Sequence, residues 1–257
     1  MTNKKYELTD DTKVIGGCTL HRIRALRSFG NVIKGQLGGF IQSEANLSHA
    51  GEAWVHGYAA VYNKARVMHN AQIMAHARVF GSARISGYAI VTENALVMGV
   101  AQVEGNARVF EDAKIFGDAT VKDQASVCGH AEVKDYAIIG RCSYIGGYTV
   151  AAGNAEISSF NTPQALLANA VIRGDAYILN PNDVLVISSI GSRADRLTAY
   201  RSKMSEGIEV ATGCFHGTLE EFKKQVKRTH GENRYGKEYQ AAIAFIKKFF
   251  SIARGLD

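Results

Sequence analysis

Two groups of residues have the types and spacing that chemistry requires. The first lies in the last quarter of the chain, where Gly191, Ser192 and Arg193 directly follow the strand expected from Val184 to Ile190. They offer backbone N–H groups, a hydroxyl and a guanidinium, which together suit a phosphate or a carboxylate. Arg201 closes the next expected strand, and Gly213, Cys214, Phe215, His216 and Gly217 form a second turn leading into a helix, whose N-terminus also favours anions. The candidate ligand-binding set is Gly191, Ser192, Arg193, Arg201, Gly213 and His216. The second group is a pair of histidines, His76 and His130. Imidazole ordinarily titrates near neutrality and so suits a general base. The cysteines, Cys18, Cys128, Cys142 and Cys214, are scattered with no CxxC pair. That spacing argues against a zinc knuckle or a disulfide framework, and neither a metal nor a resident cofactor is expected.

The elements that must position these residues are written in the sequence as a repeat. Alanine stands at every sixth position from Ala53 to Ala137, and Ser143, Thr149 and Ala155 continue the series with small residues. Two positions after each stands a β-branched residue, from Val55 through Val91 and Val121 to Ile145, and only Ala151 breaks this second series before Ile157 resumes it. Residues two apart on an extended chain point to the same side, so each hexamer is a short strand with one buried face. The remaining positions are rich in Gly, Asn, Asp and Glu, which tolerate tight bends. A strand and a corner of this length cannot bury a face alone, so the coils must stack. The pattern predicts a parallel β-helix of triangular section with three hexamers per coil. About six coils over 47–157, at roughly 4.8 Å each, make a prism on the order of 29 Å long.

The pattern V-x-G-N-A, as in Val103 to Ala107, resembles the hexapeptide repeat of left-handed β-helix proteins. That resemblance implies a left-handed winding, an exception to the usual crossover rule, and a threefold homotrimer. It also implies that a histidine near a subunit boundary can act as base for an acyl transfer from acetyl-CoA. Acyltransferases of this kind interrupt the repeat with a long loop over the acceptor, whereas fifteen hexamers run here without insertion. The first interruption is 158–169, SSFNTPQALLAN, after which Ala170, Ile172, Ala176 and Ile178 resume the pattern in a shifted phase. The span 37–57, LGGFIQSEANLSHAGEAWVHG, resembles the opening of a family of bacterial and prophage hexapeptide-repeat proteins. The C-terminal segment resembles a tail domain found on other prophage-borne proteins.

If a coil is 18 residues, positions 18 apart lie above one another. One outward column then reads Tyr62, Phe80, Met98, Phe116, an apolar stripe expected to be a subunit interface. Another reads Tyr58, His76, Asn94, Asp112, His130, Tyr148. A structural role competes with catalysis there, because both histidines hold a corner position where any hydrogen-bonding side chain fits.

Three parts follow: a β-rich cap over 1–46, with a strand at 19–26 and a bend at 38–40; the β-helix over 47–179; and a small α+β domain over 180–257. In the last, strands are expected at 184–190, 197–201 and 208–212. A capping box at Thr218 and Glu221 opens one helix, and a second helix runs over 235–250. The net charge of +6 is uneven, with a net of −1 over 47–157 and +5 over 184–257. Any anionic partner is therefore expected at the C-terminal part. Nucleic acid is not expected, because that part has few aromatics placed for base stacking. No run of eighteen apolar residues suggests a membrane span, and the start MTNKKYELTDDTK lacks the apolar core of a secretory signal, so the cytoplasm is the expected address. The leading expectation is a non-catalytic, trimeric, prophage-borne binding protein that captures a small anionic, nucleotide-like ligand or host signal, or contacts a host protein. An acyl-CoA-dependent acyltransferase using His76 or His130 and a structural assembly protein are the alternatives.

Overall fold

The computed structural model describes residues 4–158, 169–203 and 207–253. The described residues between Leu37 and Ile178 wind as a parallel β-solenoid of about 7 turns, its three faces belonging to a ten-stranded, a six-stranded and a seven-stranded sheet. From Trp54 to Ile157 each rung is two residues long and pairs in register with the rung 18 residues away, as Arg78–Val79 does with Ala60–Val61 and with Leu96–Val97. The alanines and the β-branched residues of the repeat are fully buried inside the coil.

The corners explain the polar half of the repeat. The fifth position of each hexamer, starting at Gly57, takes a positive φ, a conformation that costs most L-residues about 1–2 kcal/mol. Many of these positions are glycine. Where they are not, the side chain commonly accepts a hydrogen bond from the amide one coil further on. Glu93 accepts from the Glu111 N–H at 2.8 Å, Asp123 from Arg141 at 2.8 Å and Asp135 from Gly153 at 3.0 Å. Ala75 sits in the same conformation, at φ 55, with a side chain that can accept nothing.

The interruption lies almost wholly outside the described residues. Its effect is visible on both sides of it, for Val150 pairs with Val171 and Glu156 with Tyr177, 21 residues apart instead of 18. The phase shift is therefore an insertion of three residues, and the stack continues across it.

At the N-terminal end, Tyr6–Ile15 and Cys18–Ala25 form an antiparallel hairpin, and Cys18–Ala25 pairs with Leu37–Ile41. Leu37–Ile41 is itself the first parallel rung, against Ala60–Val61. The glycines at 38 and 39 are thus in a strand and not at a bend. A Cβ on Gly38 would lie 2.6 Å from the Val55 carbonyl oxygen, and one on Gly39 2.6 Å from that of Ala59, so close backbone approach is what requires them. The open end is filled by Tyr6, Phe29 and Trp54, packed edge to face. Buried Lys5 donates from its ammonium to the Ala53 carbonyl at 2.7 Å.

At the other end, an antiparallel meander of Val184–Ile190, Asp195–Arg201, Ile208–Thr212 and Phe215–Thr218 lies against the last coil. The Thr198 hydroxyl accepts from the Val171 N–H at 2.9 Å and the Tyr200 hydroxyl from the Arg173 N–H at 3.1 Å. Side chains thereby satisfy amides that a further coil would otherwise bond. The opposite face of the meander packs on two helices, α1 (Leu219–His230) and α2 (Arg234–Ile252), through Leu197, Ala199, Val210, Phe222, Val226, Ile243 and Ile246. The capping box forms as expected: Thr218 accepts from the Glu221 N–H, and Glu221 accepts from that of Thr218. Phe215–Thr218 forms a fourth strand where a turn through Gly217 is expected from the sequence.

Two outcomes follow from the corners and the end. Ala75→Gly relieves a left-handed conformation and should raise stability by about 1 kcal/mol, while Asp135→Ala should lower it by about as much and Asp135→Gly by less; thermal unfolding followed by circular dichroism measures all three. For Lys5, burial, followed by the nearby Arg27, lowers the ammonium pKa from the ordinary lysine value to about 8. Between about pH 8 and pH 10 the unfolded chain then holds a proton that the folded chain has released, so this group makes stability rise with pH. Urea midpoints should climb over that window and climb less in Lys5→Met.

Candidate functional site

The corner column assembles as the 18-residue period requires. Tyr58 and His76 stack at 5.5 Å between ring centroids, with an interplanar angle of 5°, and His130 and Tyr148 stack at 4.8 Å. Between them Asn94 donates to Asp112 at 3.2 Å, and Asp112 lies 3.7 Å from the His130 imidazole. Three coils, or roughly 14 Å, separate the two histidines. They cannot serve one site within a chain.

The apolar column is divided by the chain itself. Tyr62 is only 7% exposed, because it is enclosed with Leu20, Phe40 and Ala60, and with Ile15 and Cys18 from the N-terminal hairpin. Phe80 stacks beneath it at 5.0 Å. Phe80, Met98 and Phe116 remain half-buried, and Lys134 lies 5.7 Å from the Phe116 ring centroid, where the stripe ends. A partner could reach three of the four residues, not Tyr62.

The C-terminal turns do build a cavity. It has a volume of about 220 Å3, and its lining brings together Ser192, Arg193 and Gly213 of the expected set. The two turns, Gly191–Ala194 and Gly213–Cys214, stand side by side because the strands they connect are neighbours in the meander. Gly191 lies just behind the lining: its N–H donates to Glu238 at 3.2 Å, and a Cβ there would fall 2.1 Å from the Tyr239 hydroxyl. Only glycine permits Tyr239 to seat against that turn. The floor is apolar and aromatic, from Phe215, Phe222, Val226 and Tyr239, with Phe222 and Tyr239 edge to face at 5.5 Å. Burial pushes the Tyr239 phenol pKa up, so it enters the cavity as a neutral hydroxyl bonded to Thr212. Thr229 and His230 at the end of α1 complete one wall, and Asp195 contributes one carboxylate, which stands with the Arg193 guanidinium beside Gly213.

Two members of the expected set stand elsewhere. Arg201 is at the far end of its strand, where its guanidinium donates to Asp183 at 2.8 Å and lies over the Phe250 ring. His216 is on the face of the meander that meets the solenoid, with its imidazole 2.9 Å from Glu209 and above Gly174. The helix N-terminus is also displaced from the site. The strand Phe215–Thr218 separates it from the turn at Gly213, and its first amides are taken by its own capping box. Missed by sequence reasoning were Thr212, Phe222, Thr229, His230 and Tyr239. The helical period places Phe222, Val226 and His230 on one face of α1, but nothing local says that this face ends beside the turns.

Among the described residues no group of three or more His, Cys, Asp and Glu side chains is placed to hold a metal ion, and no helix is long and apolar enough to cross a membrane. Comparison with protein-family models and with curated proteins returns no match.

The Arg201–Asp183 pair is mostly shielded from solvent, and Asp183 also accepts from the N–H groups of Leu179 and Asn180. Arg201→Ala should therefore lower stability by about 3 kcal/mol, the low end for breaking a buried pair, without altering ligand binding in the cavity; denaturant unfolding and a binding titration on the same variant separate the two effects.

Proposed function

We propose that the protein is a non-catalytic binding protein, in which the solenoid is a rigid trimeric scaffold and the C-terminal cavity captures a small anionic, nucleotide-like ligand. The observation that carries this reading is the cavity itself: a guanidinium, a hydroxyl and two glycine turns at the rim, over a floor of aromatic rings. Arg193 would meet the charged end of the ligand, and Phe215, Phe222 and Tyr239 its planar part. A volume of about 220 Å3 suits part of a nucleotide, with the remainder in the open mouth. The half-buried Phe80, Met98 and Phe116 would be the contact between copies. The resemblance read in the span 37–57 and in the C-terminal segment is the ground for proposing a role in a host cytoplasm, sequestering a host signal or holding a host protein.

Neither alternative gains from the geometry. End-to-end assembly through the prism is opposed by the hairpin and Lys5 at one end and by Thr198 and Tyr200 at the other. Acyl transfer would need one of two imidazoles that are each stacked on a tyrosine.

Native mass spectrometry on protein purified from cells under gentle conditions tests the proposal. The expected spectrum is three chains carrying a nucleotide-sized adduct, which Arg193→Ala loses and a folded Arg201→Ala keeps. A bare protein that gains mass only with acetyl-CoA would transfer the case to the acyltransferase, and a monomer would remove the trimer.

A further inference from the structure

We propose that the cleft between the N-terminal hairpin and the first coils is a second binding site, for the phosphate group of a small molecule. Lys13, Ile15, Tyr58, His76, Arg78 and Asn94 line it, and its volume is about 430 Å3. Lys13 and Ile15 come from the strand Tyr6–Ile15, folded back over the solenoid, and Arg78 from the outer side of a rung. The other three belong to one corner column. Elements far apart in the chain thus converge here, and none of the six residues is acidic.

The charge of the cleft is uncompensated. The Lys13 ammonium is fixed by donating to the Tyr58 carbonyl at 2.9 Å and by lying 4.1 Å over the Phe40 ring. Arg78 makes no ion pair among the described residues, whereas Arg22, also near Phe40, is held by Asp11. Burial lowers the Lys13 pKa, and Arg78 and then Arg22 lower it further, as expected where one ammonium lies close to two guanidiniums, of which Asp11 pairs with Arg22 alone. The neighbouring carboxylates face elsewhere: Glu93 accepts from the Glu111 N–H, and Asp112 accepts from Asn94 and faces His130. A dianionic oxygen group between Lys13 and Arg78 would make charge-assisted hydrogen bonds to both and relieve their repulsion. The stacked rings of Tyr58 and His76 line the cleft beside it and would offer apolar contact to the organic part of the molecule.

The site can be read separately from the C-terminal cavity through the imidazole proton signals of His76, assigned with His76→Gln. The full-length protein is titrated with inorganic phosphate, pyrophosphate and phenyl phosphate. A saturable shift of the His76 signals is expected, weakened about tenfold or more by Arg78→Gln and by Lys13→Met and unchanged by Arg193→Ala. Tighter binding of phenyl phosphate than of inorganic phosphate identifies an organic ester as the ligand class; equal affinity identifies free phosphate. Circular dichroism and thermal unfolding confirm that both variants fold. No saturable shift with any probe up to about 10 mM, or unchanged affinity in a folded Arg78→Gln, would overturn the proposal.

Discussion

The interior of each coil is closed so tightly that each face can contribute one small and one β-branched side chain per turn. Ala and Val or Ile at zero exposure fill it from Ala53 to Ile157, with Ser143, Thr149 and Ala151 as the few exceptions. Burying one such aliphatic side chain contributes about 1.5–3 kcal/mol, and the contributions recur with every hexamer. Close packing of this kind tolerates neither a larger residue nor a slip of register. The same constraint fixes the outside: with the inward positions set, each outward residue has a neighbour 18 residues away, directly above or below. Stacked rings such as Tyr58 on His76 and Tyr62 on Phe80, and the amide-capping carboxylates at the corners, follow from that spacing.

A parallel stack satisfies its own backbone everywhere except at its ends, and much of the remaining chain is occupied there. The N-terminal hairpin turns one sheet from antiparallel to parallel at Leu37–Ile41, and its Tyr6 fills the opening together with Phe29 and the Trp54 of the first coil. At the other end a sheet of different topology supplies hydroxyls in place of missing carbonyls. That sheet therefore has two faces with two duties. Thr198, Tyr200, Glu209 and His216 face the solenoid, and Leu197, Ala199, Val210 and Phe215 face the helices that enclose the cavity. The division explains why Arg193 and Gly213 belong to the cavity while His216, only three residues from Gly213, does not.

The two candidate sites arise where a capping element meets something else. The C-terminal one forms between two hairpin turns and a pair of helices, and the cleft on the solenoid forms where the N-terminal hairpin overhangs a corner. A bare prism with flat faces and a filled core has few concavities of its own. Ligand sites on this architecture are therefore made by the segments that interrupt or close it.

What the sequence determined by itself is everything that depends on short-range periodicity. Ala at every sixth position with Val or Ile two later settles strand, corner and coil, because inward volume is the same at every rung. The strands at 184–190 and 208–212 and the box at Thr218 and Glu221 were equally legible, being signals contained within a few residues. Only the tertiary structure decided which surfaces stay open. It placed Arg201 on Asp183 and His216 on Glu209, buried Tyr62 beneath a hairpin whose first strand the sequence did not announce, and set Tyr239 beside Gly191 and His230 against Tyr239. Those outcomes depend on contacts between elements far apart in the chain, whose energies are set by packing and charge and not by the local pattern that forms each element.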